Sequence, residues 1–327
     1  MKALVTGGAG FIGSHTARWL LKDNCEVVVL DDLSGGDREN VPCGAKFVEG
    51  SITDYALVTQ LFEQEQFDFV YHLAAYAAEG LSHFIRRFNY QNNLIGSINL
   101  INQSILYKVK CFVFTSSIAV YGAGQTPMTE DMEPYPEDPY GVAKYAVEMD
   151  LRIAHEQFGL DYIIFRPHNV YGEGQNIGDK YRNVIGIFMN QILNDQPLTI
   201  FGNGEQSRAF TYIDDLAPLI ARSVQNKRAY GEIFNIGGDQ PHTINQLARM
   251  VAEVMEVRPD IRYLKARHEV LHAYSNHTKI REFFDPPAAT RLKDGLTRMA
   301  AWVRQVGARP TKDFAEIEIP RGLPEGW

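Results

Sequence analysis

Leu4-Val5-Thr6-Gly7-Gly8-Ala9-Gly10-Phe11-Ile12-Gly13 is an apolar run that breaks into glycines and then enters an amphipathic stretch. It reads G-x-G-x-x-G through Gly8, Gly10 and Gly13, and G-x-x-G-x-x-G through Gly7, Gly10 and Gly13. A Cβ at these positions would block both a tight strand–helix turn and the approach of a pyrophosphate to backbone N–H groups. The helix that follows offers free donors and partial positive charge at its N-terminus. Gly7, Gly10, Phe11, Ile12 and Gly13 are therefore the first candidate cofactor residues.

Outward from this loop, short β-branched runs alternate with helical patterns. The spacing predicts strands over 3–6, 26–30, 46–48, 69–73, 111–115 and 162–165, and helices near 12–21, 55–65, 92–106 and 141–158. Several strands are apolar at consecutive positions, as expected when helices cover both faces of a sheet. The fold class is α/β, a doubly wound parallel sheet. Beyond Arg166 the pattern loosens into a glycine-rich loop over 167–182, a helix over 184–193, a helix from Asp214 and Asp215, and a strand over 233–236. Thr243 and Gln246 have capping-box spacing for a helix through Met255. The expected organisation is a dinucleotide domain over 1–167 and 209–240, with a smaller interleaved C-terminal α/β lobe over 168–208 and 241–327.

Composition narrows the function. The 327 residues are 45% hydrophobic and 22% charged, ordinary for a globular protein. With 32 basic and 40 acidic residues the net charge is −8, which argues against a nucleic-acid or anionic-membrane partner. No run is long and apolar enough to span a membrane. Cys25, Cys43 and Cys111 form no C-x-x-C pair, and the first residues run straight into the glycine cluster. A cytoplasmic protein without disulfides or a secretory signal is expected. Asp31 and Asp32 end the second strand, where a carboxylate accepts from a ribose hydroxyl and repels a 2′-phosphate, so NAD is favoured over NADP.

Tyr140-Gly-Val-Ala-Lys144 places a phenol and an ammonium on one helix face, behind an Asp138 N-cap and Pro139 at N1. The lysine charge, with oxidised nicotinamide nearby, is expected to lower the phenol pKa so that it serves as a general base. Thr115-Ser116-Ser117 ends the preceding strand and points hydroxyls into the same crevice.

These motifs, with His72-Leu73-Ala74-Ala75, Arg166-Pro-His-Asn-Val-Tyr-Gly172, Phe201-Gly-Asn-Gly204 and Arg208-Ala-Phe-Thr-Tyr-Ile-Asp-Asp215, follow one another in a recognisable order. Up to about residue 305 the chain resembles extended short-chain dehydrogenase/reductases of the NAD-dependent nucleotide-sugar epimerase/dehydratase family, UDP-glucose 4-epimerases among them. The resemblance implies a Rossmann domain, bound NAD, and Ser117, Tyr140 and Lys144 as the catalytic set. It adds Ser51, Ile52, Leu73, Ala74, Ala75, Asn93, Ser116 and Pro167 to the cofactor contacts. It assigns Glu79, Asn169, Asn183, Val184, Phe201, Arg208 and Arg267 to the nucleotide sugar. Guanidinium forks suit a diphosphate that cannot be neutralised. It also implies a homodimer through a four-helix bundle, for which Ile95, Ile98, Ala146 and Met149 are suited.

The chain departs from the family pattern at Ser51, where many relatives carry Asp, and at Ala209, where Asp is common. His168 is unusual in its motif and either touches the sugar or packs behind it. His268, His272 and His277 match no zinc spacing, so no metal is expected. Ile118 and Ala119 stand where sugar 4,6-dehydratases of the family carry an Asp-Glu pair, and Ala119 where GDP-mannose 3,5-epimerases carry Cys; neither residue moves protons. The remaining reading is a 4-epimerase acting on a UDP-sugar. A nucleotide-sugar 4-dehydrogenase/reductase, an epimerase at another position, and a non-catalytic NAD sensor or scaffold are the alternatives. Tyr274 is the expected bulky residue beside the sugar C2 substituent, favouring UDP-glucose and UDP-galactose over N-acetylhexosamines, while Lys180 and Arg182 keep a uronic acid open.

Overall fold

A computed structural model describes residues 1–327. Its centre is seven strands: β1 (Lys2–Thr6), β2 (Glu26–Asp31), β3 (Lys46–Glu49), β4 (Phe69–His72), β5 (Cys111–Thr115), β6 (Tyr162–Pro167) and, returning from the second half, Glu232–Ile236. They lie in the order Glu232–Ile236, β6, β5, β4, β1, β2, β3, and every pair is parallel. The winding direction reverses between β1 and β4, which opens a crevice at their carboxyl ends.

Strict alternation along the strands makes two cores. Ala3, Val5, Val27, Val29 and Tyr71 face the side covered by α1 (Phe11–Lys22) and by the helix Ile213–Arg222. Leu4, Val28, Leu30, Val70 and Phe112 face the helices α2 (Tyr55–Glu65), Gly96–Leu106 and Pro139–Phe158. The helix expected from residue 92 is preceded by a π-turn over Gln91–Ile95. At the start of Pro139–Phe158 the Gly141 N–H donates to the Asp138 carboxylate at 2.9 Å, and Gly159 ends the helix at φ 74°.

The second lobe is small. Leu198–Phe201 pairs with Ile261–Leu264, while Ser207–Ala209 lies between Pro241–Thr243 and His272–Ala273. The capping box at Thr243 and Gln246 is formed. A helix absent from the sequence expectations, Leu292–Val306, buries Leu296, Met299, Ala300 and Val303. Their three- and four-residue spacing is the signal that marks it. Leu247, Val251 and Leu296 join the same core as Val5 and Val29, so the lobe shares its interior with one face of the sheet. No helix is long and apolar enough to cross a membrane.

Two glycines set the close approach of α1 to the sheet. Gly7 has φ +69°, and an added Cβ would stand 2.7 Å from the Ala74 nitrogen; one at Gly13 would stand 2.1 Å from the Gly7 carbonyl oxygen. Gly13→Ala should therefore cost about 1–3 kcal/mol of stability and weaken dinucleotide binding. Gly159→Ala, with φ +74° but open space around it, should lose about 1 kcal/mol and leave binding intact. Calorimetric NAD titration of both variants checks this; equal affinities would refute it.

Candidate active site

The crevice is the mouth of a cavity of about 1250 Å³. Gly7, Gly10, Phe11, Ile12, Gly13, Asp31, Asp32, Ser51, Ile52, Leu73, Ala74, Ala75, Ser116 and Pro167 line it, as do Ser117, Tyr140 and Lys144. Asn169, Asn183, Val184, Phe201, Arg208 and Arg267 line it from the lobe side, and Glu79 lines it from the short helix after β4. Two expected residues lie elsewhere. Asn93 is buried behind the wall, its side-chain oxygen accepting from the Tyr76 N–H at 2.8 Å and its amide donating to the Tyr76 carbonyl; Asn92 lines the cavity instead. Tyr274 is half-buried outside the lining, its carbonyl accepting from the Met128 N–H, and the short strand His272–Ala273 brings Ala273 to the cavity.

The glycine loop is pinned by Asp31, whose carboxylate oxygens accept from the Ala9 and Leu33 N–H groups at 3.0 and 2.8 Å. Burial, then the neighbouring Asp32, raises the Asp31 carboxyl above its ordinary value. Gly10 caps α1 with no side chain over the helix end. The Thr115 hydroxyl is buried without a hydrogen-bond partner and faces the cavity. A glycine cradle that a Cβ would fill, an open helix N-terminus and strand-end carboxylates fit a dinucleotide carrying an unphosphorylated ribose.

Behind this loop a polar chain crosses the sheet. The Ala74 N–H lies 3.2 Å from Thr6 Oγ1, which lies 2.8 Å from His72 Nδ1; His72 Nε2 lies 2.8 Å from Ser97 Oγ, which donates to the Asn93 carbonyl. The Ser97 proton is thus committed, so His72 donates from Nε2 and accepts at Nδ1, and burial keeps it neutral. This explains why a histidine ends β4.

Around Tyr140 the chain's own groups act against the expected pKa. Burial first, then the Glu79 charge, push the phenol above its usual range, while a hydrogen bond from Ser117 pulls the other way. Burial also pushes Lys144 down to about 7, partly offset by Glu148. Lys144 donates to the Thr115 carbonyl at 2.8 Å and is not a fixed cation beside the phenol, so the predicted lowering does not arise from the protein alone. Glu148, which the sequence reading missed, accepts from Ser116 and takes both ends of the Arg166 guanidinium. Its spacing of four from Lys144 on the same helix was the available signal.

At the opposite end Arg208 and Arg267 converge on Glu269, at 3.3 and 3.4 Å. Arg267 lies between the rings of Phe201 and Trp327, and its Nε has no partner. The segment after Arg309, for which the sequence offers little pattern, forms the outer wall: Glu318 accepts from the Arg87 and Phe88 N–H groups, and Phe314 packs on Tyr76. Lys180 is bound to Asp313, and Arg182 to Asp179, so both are already paired. His268 packs on His83, His272 on Ser207, and His277 on His168. Three rings thus go to three places.

Glu79 projects into the cavity near Asp138, and burial with the Glu79 charge holds the Asp138 carboxyl up at about 7. A raised carboxyl keeps its proton when folded and loses it when unfolded, so this group stabilises the fold at low pH and its contribution declines from about pH 4 to about pH 7. Asp138→Asn keeps the cap and should flatten that decline in urea-unfolding curves; an unchanged slope would refute the assignment.

Residues 3–237 match the model of the NAD dependent epimerase/dehydratase family. A putative UDP-glucose 4-epimerase of Methanocaldococcus jannaschii is 33% identical over 92% of this chain and 98% of its own length. The crystal structure of a Thermotoga maritima UDP-glucose 4-epimerase with UDP-glucose superposes with a TM-score of 0.88 at 34% identity, covering 94% of this chain and 99% of that one. A Bacillus cereus UDP-glucuronic acid 4-epimerase, solved with UDP-glucuronic acid and NAD, gives 0.86 at 30% identity over 94% and 100%. With a glycine loop, a strand-end acid, a Tyr-x-x-x-Lys helix and paired arginines around one cavity, the chain belongs to the NAD-dependent epimerase/dehydratase family.

Proposed function

We propose that the chain interconverts the C4 epimers of a UDP-hexose through a transient 4-keto sugar, with Ser117, Tyr140 and Lys144 as its catalytic residues. The observation that carries this reading is their convergence in a single cavity with Arg208 and Arg267, while Ile118 and Ala119 line the position where a dehydratase needs an acid and a base. The family's cofactor is NAD, which when bound supplies the acceptance of a hydride from C4 and its return.

The protein groups do the rest. As its phenolate, formed once positive charge stands beside it, Tyr140 takes the C4 hydroxyl proton as the carbonyl forms and gives it back when the carbonyl is reduced. Ser117 holds the same oxygen, and Lys144 holds the ribose and supplies positive charge when protonated. Arg208 and Arg267 bind the diphosphate, exchanging Glu269 for phosphate oxygens. With this anchor fixed, the keto sugar can turn over and offer its other face. Tyr274, next to the cavity-lining Ala273, is the bulky residue assigned beside C2, and this favours UDP-glucose and UDP-galactose over N-acetylhexosamines. Residues 1–167 with 209–240 serve NAD, and 168–208 with 241–327 serve the sugar nucleotide. Exposed Val142, Met149 and Ile153, beside Ile95 and Leu106, supply an apolar face for a homodimer.

Tyr140→Phe should retain fold and NAD but lose about 10²–10⁴ in turnover, the usual share of general acid–base catalysis. Product analysis by isomer-resolved chromatography over a panel of UDP-sugars measures it. Near-normal epimerisation by the variant would remove the assignment.

A further inference from the structure

Two buried histidines stand ring to ring behind the cavity wall. His168 follows Pro167 and lines the cavity; His277 precedes the helix Thr278–Phe284. Their Nε2 atoms are 3.1 Å apart. His168 Nδ1 lies 3.0 Å from the Ala209 carbonyl, and His277 Nδ1 lies 2.8 Å from an Asp239 carboxylate oxygen. A carbonyl only accepts, so His168 Nδ1 carries a hydrogen. His277 and Arg281 hold the Asp239 carboxyl well below its usual range, so His277 Nδ1 carries one too.

A neutral imidazole has a single N–H. Two neutral rings would then turn bare lone pairs at each other across 3.1 Å, and the contact closes only when one ring holds a second proton. His277 is that ring. It is paired with Asp239, and Ser275 Oγ lies 3.1 Å from its Nε2. His168 is pushed down to about 3 by burial and by His277. The fold is shaped around the pair, since a Cβ on Gly237 would lie 2.1 Å from His168 Nε2.

The chain of bonds reaches the substrate side. The Ala209 carbonyl also accepts from the Asn169 amide at 3.0 Å, and Thr211 donates to the His168 carbonyl at 2.8 Å. Ala209 follows Arg208 in the strand Ser207–Ala209. We propose that Asp239, His277 and His168 form a proton-holding chain that positions the Arg208 strand, so that substrate affinity falls when the chain gives up its proton. These are positioning residues, and the proposal rests on the reading that Arg208 holds the diphosphate.

Asp239, Arg281, Ser275 and His168 face His277; Asp138 and Glu79 titrate elsewhere in the cavity and need a control. The test is histidine side-chain ¹⁵N NMR on the full chain, with UDP-glucose affinity measured from about pH 6 to about pH 8, where histidines ordinarily titrate. At the lower pH, His277 should be protonated on both nitrogens and His168 on Nδ1 alone. Across the range the wild-type Kd should rise about three- to tenfold, the worth of one net hydrogen bond. Asp239→Asn should bind weakly and without that rise, while Asp138→Asn should keep it. Two neutral rings at the lower pH, or an equal rise in Asp239→Asn, would overturn the proposal. Failure of UDP-glucose to bind wild type would count against the diphosphate reading, and the ring states would still decide the chain.

Discussion

Parallel strands in one sheet cannot be joined by tight turns, so each connection crosses a face and every strand ends on the same edge. That constraint organises the molecule. It delivers the glycine loop after β1, Asp31 at the end of β2, Ala74 after β4, Ser117 after β5 and Pro167 at the end of β6 to one cavity, from positions far apart in sequence. The sheet can hold this edge still because both of its faces are packed, by Val5 and Val29 on one side and Leu4 and Val28 on the other. The polar chain from Thr6 through His72 to Ser97 adds a cross-tie where β1 and β4 lie side by side.

The electrostatics of the cavity meet at Glu79, which feels Arg208 and Arg267 on one side and acts on Asp138 and Tyr140 on the other. Arg208 and Arg267 gather at the lobe end, with Glu269 between them, and suit an anionic diphosphate. Glu79 and Asp138 lie toward Tyr140, where burial first and then their charges raise the phenol. Lys144 is buried and inclined to be neutral. The reacting end is therefore set to keep its proton until positive charge arrives beside it, which restrains proton loss from Tyr140 to the occasion of catalysis. Glu148 and Arg166 form the buried ion pair beneath this end, and the Ser116 hydroxyl is fixed to it.

Local signals made much of this legible. The glycines, the Asp138–Pro139 helix start, the Thr243 capping box and the Tyr140–Lys144 spacing each carry their physics within a few residues, and the structure places them as the sequence indicates. Asn93 and Tyr274 lie outside the cavity lining, because one residue decides whether a side chain faces a cavity or its backing, and no local rule fixes that register. The wall after Arg309 escaped notice for another reason: its contacts are backbone N–H groups meeting Glu318 and isolated aromatics, with no periodicity to read. The His168–His277 pair joins residues 109 apart in sequence and emerges only once the lobe folds back. In the chain alone, burial first and then the Glu79 charge hold the Tyr140 phenol up, because the Tyr140–Lys144 spacing reports a nearby lysine but not its burial.

The central claim is that C4 is oxidised and reduced within one binding event. The most direct measurement follows the label in UDP-hexoses deuterated at C4, incubated with the protein and NAD, by NMR and mass spectrometry of the products. Oxidation and reduction without release yield a product of unchanged mass, inverted at C4 and still deuterated there. Deuterium lost to solvent, a product lighter by one water, or a released keto sugar with matching accumulation of reduced cofactor would contradict it.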